Sequence, residues 1–226
     1  MKLADILKDI ESIEFKVSSE KSVSIVPSLE ERIEAVYEDD APECRYFTDF
    51  TIEAYATDGM NVIAGLGFLK GTSIEAACTF TDVGSFLELG DMVSTDIYHL
   101  AVAVTGADGQ IKESVCPPDR NMMYIENVYV EEPYRGRGLG RYLLDNANAL
   151  FTRALNYSHY VCLLKPYPQV KCGDLCLRDA KSPSEDEVAR LVRFYERAGY
   201  RFVEGSGYMY KAYPGPLDEL LQMLEG

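Results

Sequence analysis

The sequence predicts a mixed α/β fold in a single domain of 226 residues, with helices and strands in alternation. Two β-rich runs, 46–56 and 62–69, are joined by Asp58-Gly59, which is a strong hairpin signal. Later, apolar residues alternate up to Val130, and a glycine-rich turn and a helical pattern follow at once. Both periodicities therefore occur in a chain long enough to bury a sizeable core.

Apolar spacing assigns the remaining elements of the first half. Residues at helical spacing predict helices over 2–11, 28–37 and 91–104, and the second of these opens on a Ser-Leu-Glu-Glu capping box. Short apolar runs at 15–17 and 23–25 predict two strands on either side of a polar turn.

The second half alternates in the same way. A helix is predicted over 138–154, and a strand follows at 160–164. Ser182-Pro183-x-Glu185 predicts the start of the next helix, with proline at its first position, and Gly199 predicts its end. Two short strands and a last helix over 214–226 close the chain.

The net charge of −15 lies almost entirely in the first half. Residues 1–120 hold 23 acids against 9 bases, whereas residues 121–226 hold 14 acids against 13 bases. This balance disfavours nucleic-acid binding through a basic face. An acidic half can simply solubilise the surface, or it can attract a cationic substrate, and the composition leaves both open.

Targeting and cysteine signals indicate a cytoplasmic protein. Acids interrupt the apolar pattern of the first fifteen residues, and no apolar run approaches 18 residues, so neither a signal peptide nor a membrane span is expected. The six cysteines are expected to be reduced thiols. Cys172 and Cys176 have no histidine nearby and lack the usual zinc spacing, so no metal site is predicted.

The segment 126–140, ENVYVEEPYRGRGLG, carries the most specific signal in the chain. A strand, a glycine-rich turn and a helix N-terminus together direct several backbone N–H groups at one point, which suits an anion such as a phosphate. A P-loop is excluded because Arg141-Tyr142 replaces the required Lys-Ser/Thr. The glycine spacing also differs from that of a dinucleotide-binding fold.

This segment resembles the acyl-CoA signature of the GNAT superfamily of N-acetyltransferases, (Q/R)-x-x-G-x-(G/A), with Arg135, Gly138 and Gly140 at its fixed positions. A second block of the family, a helix followed by an aromatic-Tyr pair, a Gly-aromatic pair and two short strands, is similar to residues 191–211. The resemblance covers roughly 120–213, and the first 120 residues match only loosely.

The resemblance implies a central, mostly antiparallel mixed sheet flanked by helices, with an insertion over 72–121 before the central strand. Residues 122–213 would form the core that binds acetyl-CoA as a co-substrate, without a metal. The implied contacts with acetyl-CoA come from the strand, the glycine-rich turn and the helix start: Val128, Tyr129, Val130, Arg135, Gly136, Arg137, Gly138, Leu139 and Gly140. One contact is missing, because Val188 stands where the family often has asparagine.

Two side chains are predicted to move protons. An alkylammonium has a pKa of ~10.4, so it must lose a proton before it attacks a thioester, and a carboxylate facing it provides a base. Glu126 occupies the strand position where the resemblance implies such a carboxylate, although a surface role is the alternative. Tyr195 matches the family's tyrosine that protonates the departing thiolate, although it shares an apolar helix stripe and core packing alone would also explain it.

The sequence therefore predicts an enzyme that moves an acetyl group from acetyl-CoA directly to a primary amine, with a small cation as the expected acceptor. Three alternatives stay open: a non-catalytic acyl-CoA-binding sensor, an interaction module, and a protein or peptide N-acetyltransferase. Nucleic-acid and membrane partners are not expected, and assembly as a homodimer is left open. The insertion 72–121 and the segment 166–182 are expected to line the acceptor side.

Overall fold

The fold was obtained as a computed structural model that describes residues 12–19, 46–57, 61–76, 85–117, 119–155 and 158–213. Several predicted elements lie outside the described residues. They are the helices over 2–11, 28–37 and 214–226, the strand at 23–25 and the Asp58-Gly59 turn.

One seven-stranded sheet organises the described part of the chain. Its strand order is β1-β2-β3-β4-β5-β9-β8, and every neighbouring pair is antiparallel except β4 and β5, which run parallel. The strands of this sheet are β1 Ser12–Ser19, β2 Phe47–Thr57, β3 Val62–Ile74, β4 Met122–Val130, β5 Val161–Leu164, β8 Arg201–Phe202 and β9 Met209–Ala212. The predicted mixed, mostly antiparallel sheet is confirmed.

Two further strands form a separate hairpin. Strands β6 Gln169–Gly173 and β7 Cys176–Asp179 pair antiparallel with each other. They lie in the segment 166–182, where no strand was expected from the sequence. The side chain of Gln169 ties this hairpin to the main sheet, because its Nε2 donates to the Glu126 carbonyl oxygen at 3.1 Å.

Four α-helices in the described residues flank the sheet. They are α1 Phe86–Val93, α2 Thr95–Val104, α3 Leu139–Leu155 and α4 Glu185–Arg197. Helices α1 and α2 pack on one face with a core that includes Leu89 and Leu100. Residues of α3 and α4, among them Leu143, Phe151 and Tyr195, pack on the other face. Hydrophobic burial on both faces explains why neighbouring residues of β4 enter different cores.

Two helix boundaries differ from their predictions. The helix predicted over 91–104 is two helices, because the Ser94 side chain accepts from the Ile97 N–H and so caps a new helix. The helix start predicted at Ser182 and Glu185 falls two residues later, where Ser184 and Glu187 form the capping box. Both serine–glutamate pairs fit the capping pattern, and the second leaves Pro183 outside the helix.

An extra residue in β4 shifts which positions face each core. The register pairs Lys70 with Asn127 and Gly71 with Ile125, so Glu126 has no direct partner on β3. Met123 and Ile125 therefore face the α3–α4 core before this bulge, and even-numbered residues such as Val128 and Val130 face it afterwards. A Cβ at Gly71 would lie 2.1 Å from the Tyr124 carbonyl oxygen, so the close approach of β3 at the bulge requires glycine.

His159 connects α3 to the sheet by hydrogen bonds. Its Nε2 lies 2.8 Å from the Ser73 hydroxyl, and its backbone N–H donates to Asn148 Oδ1 at 3.0 Å. Burial lowers the pKa of His159 to about 3, so the ring is neutral near pH 7.

We expect His159 to make the fold acid-sensitive. A group whose pKa falls on folding contributes stability that is present above its unfolded pKa of 6.5 and is lost as the pH falls toward 3. His159→Phe removes this titration but leaves the buried Ser73 hydroxyl without its partner, at a cost of about 1–3 kcal/mol. Thermal melts should show a variant that is less stable at pH 7 and has a flatter pH dependence between 6.5 and 4. An unchanged pH slope would contradict this role.

Candidate functional site

A cleft forms where β4 outruns its parallel neighbour. Strand β5 pairs with β4 only from Met122 to Ile125, and β4 then continues to Val130 alongside β3 alone. The Glu131 N–H donates to the Leu66 carbonyl oxygen at 2.9 Å, which fixes the alternation of the β3–β4 hydrogen bonds. By that alternation, Val128 and Val130 direct their N–H and C=O groups away from β3 and into the cleft.

A turn and a helix N-terminus follow β4, and of these Arg135 lines the cleft whereas residues 136–140 do not. A short 3-10 helix, Glu132–Tyr134, follows β4, and Gly136 and Gly138 take φ values of 73° and 89°, a region that side chains with a Cβ rarely adopt. The first helical bond of α3 joins the Tyr142 N–H to the Gly138 carbonyl oxygen. The amides just before Tyr142 therefore have no acceptor within the helix, and they carry the positive end of its dipole.

Arg135 holds the turn against the end of β4. Its Nε donates to the Val130 carbonyl oxygen at 2.8 Å, and its guanidinium lies 5.3 Å from the centre of the Tyr129 ring. Lys171 of the β6–β7 hairpin lies 5.0 Å from the same ring centre and forms an ion pair with Glu131. Tyr129 thus stands between the turn and the hairpin, and Arg137 is exposed beside it.

The cleft has a volume of about 390 Å³ and is bordered by both sequence blocks. Val128, Val130 and Arg135 line it from the first block, and Tyr195 lines it from the second. Gln169 and Leu177 of the hairpin close another side. The structure therefore brings Tyr195 together with the predicted acyl-CoA contacts on β4 and the turn.

A second cavity, of about 520 Å³, is larger but is the weaker candidate for the functional site. Pro183 and one face of α4, including Val188 and Val192, form its lining. That lining is drawn from one helix and a proline just before it, whereas the cleft combines the edge of β4, Arg135 of the turn and a buried phenol. Val188, where the family often has a cofactor-contacting asparagine, belongs to this second cavity and is absent from the lining of the cleft.

Tyr195 is both a core residue and a cleft residue, so the two interpretations of its sequence position are compatible. Its side chain is 8% exposed and packs edge to face against Phe194 and Tyr200. Burial raises the pKa of Tyr195 to about 12, with a smaller contribution from Cys162. The phenol consequently keeps its proton at neutral pH and can donate it.

Glu126 projects from the bulge toward the α1–α2 side of the sheet. Its carboxylate Oε1 accepts a hydrogen bond of 3.1 Å from the Thr72 hydroxyl of β3. Burial raises the pKa of Glu126 above its usual 4.5, and the negative charge of Asp49 raises it further. The hydrogen bond from Thr72 and the charge of Lys70 act in the opposite direction but do not cancel the rise.

More acidic residues gather around Glu126 than the sequence motifs indicated. Asp96 of α2 also raises the pKa of Glu126, and Asp96 and Asp179 both raise the pKa of Tyr208. Asp96 belongs to the insertion and Asp179 to the hairpin, so both segments contribute charge to this side of the site. No linear motif joins these positions, because they meet only when β2, β4, α2 and the hairpin are assembled.

The described residues offer no cluster of three or more histidine, cysteine, aspartate or glutamate side chains suited to a metal ion. Cys172 and Cys176 are both exposed free thiols on the hairpin, while Cys162 is buried in the core. In the same described ranges, none of the helices combines the length and apolar character needed to cross a membrane.

Glu126 should cost the fold stability when it ionises. Because its pKa is raised on folding, its favourable contribution is complete below 4.5 and is lost as the pH rises through the folded pKa. Glu126→Gln should therefore melt a few degrees above the parent at pH 8, since about 1 kcal/mol moves the melting temperature of a domain of this size by roughly 2–4 °C. The gap should close near pH 4. Glu204→Gln, an exposed carboxylate in the β8–β9 turn, is the control, and a constant gap would refute the assignment.

Comparison with family models identifies the region that holds this site. Residues 96–202 match the model described as an acetyltransferase (GNAT) domain. The matched range begins in α2 and ends in β8, so it contains β4, the glycine-rich turn, the hairpin and α4. No curated protein matches the chain.

Solved structures give distant likenesses. The KacTA–DNA complex is 12% identical with a TM-score of 0.36, and the match covers 79% of this chain and 74% of that one. AtaTR bound with AcCoA is 10% identical with a TM-score of 0.37, covering 79% and 75%. Arabidopsis thaliana NAA60 in complex with acetyl-CoA is 15% identical with a TM-score of 0.33, covering 71% and 72%. Likeness at this level does not indicate an acceptor, and the expected lack of nucleic-acid binding stays a prediction.

Proposed function

We propose that this chain, which carries an acetyltransferase domain of the GNAT family, transfers an acetyl group from acetyl-CoA directly to a primary amine. The observation that supports the proposal is the position of Glu126 and Tyr195 next to the point where β4 and β5 stop pairing. Tyr195 lines the cleft beside Val128, and Glu126 lies two residues earlier on the same strand with its carboxylate on the other side of the sheet.

The donor is proposed to enter along the free edge of β4. The cleft-facing backbone groups of Val128 and Val130 suit a pantetheine arm with two amides, which would pair with β4 like an added strand. A pyrophosphate would then reach the turn, where the amides of Gly138, Leu139 and Gly140 precede the first helical bond of α3. The charges of Arg135 and Arg137 would supplement those amides.

The acceptor is proposed to approach from the α1–α2 side as a small cationic amine. Asp49, Asp96 and Glu126 give this side a negative charge that favours an ammonium group. Glu126 is the proposed base: a raised pKa makes its carboxylate a better proton acceptor than an ordinary glutamate. The amine then attacks the thioester carbonyl, and the Val128 N–H is the proposed hydrogen-bond donor to the oxyanion.

The departing thiolate is proposed to take its proton from Tyr195. A phenol with a pKa of about 12 stays protonated throughout the working range, and a free thiol has a pKa near 8.5, so the transfer to a thiolate needs some assistance from the surrounding groups. The hydrogen bond from the phenol stabilises the negative charge that develops on sulfur as the C–S bond breaks, and the proton that the nitrogen loses when the amide forms restores the proton on Tyr195.

Two alternatives to a small-amine acetyltransferase have either no acceptor or a larger one. A non-catalytic acyl-CoA sensor or interaction module would bind acetyl-CoA without releasing thiol. A protein or peptide N-acetyltransferase would use the same chemistry on a larger chain. A panel of spermidine, putrescine, free lysine, an aminoglycoside and a peptide with a free N-terminus, followed by thiol release, separates these cases. Turnover of the polyamines above the peptide supports the proposal, whereas no turnover with any amine supports the sensor.

Binding of acetyl-CoA should raise the melting temperature. At a hundred times its dissociation constant, a ligand that binds only the folded state adds about 2.7 kcal/mol. Gly138→Val should abolish this rise because the side chain disturbs both the φ of 89° and the phosphate cradle. Gly109→Val is the matched control, since Gly109 has a φ of 80° in a loop outside the cleft. Equal ligand-induced shifts in the two variants would overturn the placement of the phosphates.

Substitution of the two proton-handling groups should have different pH signatures. Loss of a proton-transfer group typically lowers the rate by 10²–10⁴-fold. Glu126→Gln should recover activity as the pH rises toward the pKa of the amine, because the amine then deprotonates unaided. Tyr195→Phe should show no such recovery, because its missing proton is donated. A parent rate in Tyr195→Phe, with turnover limited by chemistry, would leave Tyr195 as core packing only.

The hairpin and the insertion should govern acceptor choice. Asp96→Asn and Asp179→Asn remove charges near Tyr208 but leave the turn and the β4 edge intact. Each should raise the KM for spermidine several-fold more than the KM for acetyl-CoA, measured by steady-state thiol release. Asp108→Asn, an exposed charge in the loop after α2, serves as the control. Equal effects on both substrates would argue against an acceptor role for these segments.

A further inference from the structure

Three polar side chains cross the sheet in a continuous hydrogen-bonded row. Thr72 of β3 pairs in register with Asp49 of β2, and its hydroxyl lies 2.7 Å from Asp49 Oδ1 and 3.1 Å from Glu126 Oε1. Thr72 is 1% exposed, whereas Asp49 is exposed at the surface. The row therefore leads from the half-buried proposed base to solvent.

The number of hydrogens available between Asp49 and Glu126 limits how this row can be hydrogen-bonded. The Thr72 hydroxyl has one hydrogen and stands between two carboxyl groups, so it can donate to only one of them at a time. Asp49 Oδ1 is the nearer of the two acceptors. An ionised Glu126 accepts from the Thr72 hydroxyl, whereas a protonated Glu126 donates to Thr72 Oγ1 and leaves the Thr72 hydrogen for Asp49. The second arrangement is the one that follows removal of a proton from an amine.

We propose that Thr72 and Asp49 form a proton exit for Glu126, an inference that rests on the proposed function of Glu126 as the base. In the first step an N–H bond of the substrate ammonium breaks, an O–H bond forms on Glu126, and the nitrogen keeps the electron pair. In the second step the Glu126 proton passes to Thr72 Oγ1 while the Thr72 hydroxyl proton passes to Asp49 Oδ1. Asp49 then releases its proton to water, and the Thr72 hydroxyl rotates its hydrogen from Glu126 back toward Asp49 before another turnover.

Charged groups around Glu126 favour the first step, in which its carboxylate takes up a proton. Asp49 faces it from β2 and Asp96 from α2, and both disfavour a second negative charge at Glu126, while Lys70 of β3 partly offsets them. The hairpin contributes the neutral Gln169, which bonds the Glu126 carbonyl oxygen rather than the carboxylate. Thr72 is the residue that contacts both carboxylates, so it is a positioning and relay group, and Asp49 is the exit.

The test compares Thr72→Val, Thr72→Ser and Asp49→Asn in the full chain, with saturating acetyl-CoA and spermidine as the acceptor probe, or the best substrate of the amine panel. Thr72→Val keeps the shape of the side chain but removes the hydroxyl, and we expect kcat to fall about tenfold at pH 7.5 and to recover near pH 10. Thr72→Ser keeps the hydroxyl and should stay within about threefold of the parent. Thr48→Val, on the same β2 strand but next to Asp49 on the opposite face, is the matched control and should not change kcat.

For the Asp49→Asn variant, kcat and KM must be measured separately. In Asp49→Asn the amide oxygen still accepts from Thr72 but cannot take up the proton, so kcat should fall with little change in the KM for spermidine. A rise in KM alone would show that Asp49 attracts the acceptor and would overturn the relay. The double variant Glu126→Gln/Asp49→Asn should be no slower than Glu126→Gln alone, because both residues act on one proton.

The outcomes distinguish the relay from the function on which it rests. If Glu126→Gln turns over at the parent rate, the assignment of the base is wrong and the relay fails with it. If Glu126→Gln is impaired while Thr72→Val and Asp49→Asn are normal, the base stands and the relay alone is overturned. Equal defects in Thr72→Ser and Thr72→Val, in folded protein by thermal melting, would also overturn it, because the methyl group rather than the hydroxyl would then matter.

Discussion

The separation of β4 from β5 after Ile125 is the constraint on which the rest of the site depends. An unpaired strand edge within a sheet is normally a liability, since it leaves backbone donors and acceptors available to any other chain. Here two side chains cover part of that edge. Arg135 occupies the Val130 carbonyl oxygen and Gln169 occupies the Glu126 carbonyl oxygen, so the remaining edge is short and lies inside a cleft.

The bulge at Glu126 determines which face of the sheet each following residue of β4 occupies. Without the extra residue, β4 would keep one alternation throughout, and the positions that follow Ile125 would exchange faces. With it, Val128 packs toward α3 and α4 while Glu126 faces the α1–α2 side. One strand can therefore present backbone to the proposed donor on one side and a carboxylate to the proposed acceptor on the other. Gly71 makes this possible by admitting the Tyr124 carbonyl oxygen where a Cβ would collide.

Much of the donor side could be predicted from the sequence because its determinants are local. A strand, a turn that requires positive φ and a helix start lie within 126–140, and each is specified by residues close in the chain. The acceptor side could not be predicted in the same way. Asp49, Thr72 and Glu126 lie on three strands, and their meeting depends on the register of two strand pairs and on one bulge. The hairpin at 169–179 was also missed, because its residues alternate weakly and most are exposed.

The sequence of β2 nevertheless contains a weak signal for the hydrogen-bonded row of Asp49, Thr72 and Glu126. In β2, Phe47, Asp49 and Thr51 occupy alternate positions, and an acidic residue at such a position in a buried strand is costly unless it has a partner or reaches solvent. Asp49 does both, since it accepts from Thr72 and stays exposed. A sequence pattern can therefore mark a polar residue as unusual, but only the register of β3 against β2 identifies its partner.

In the proposed roles of Glu126 and Tyr195, burial serves opposite tasks. Burial disfavours the charged form of both Glu126 and Tyr195, and so raises the pKa of each. For Tyr195 the result is a donor that does not lose its proton prematurely. For Glu126 it is a stronger base, at the cost of being protonated over a wider acidic range. A half-buried base that holds its proton more tightly also returns it more slowly to solvent. A hydroxyl and an exposed carboxylate beside it supply the route by which that proton leaves, so the environment that strengthens the base also makes such a route useful.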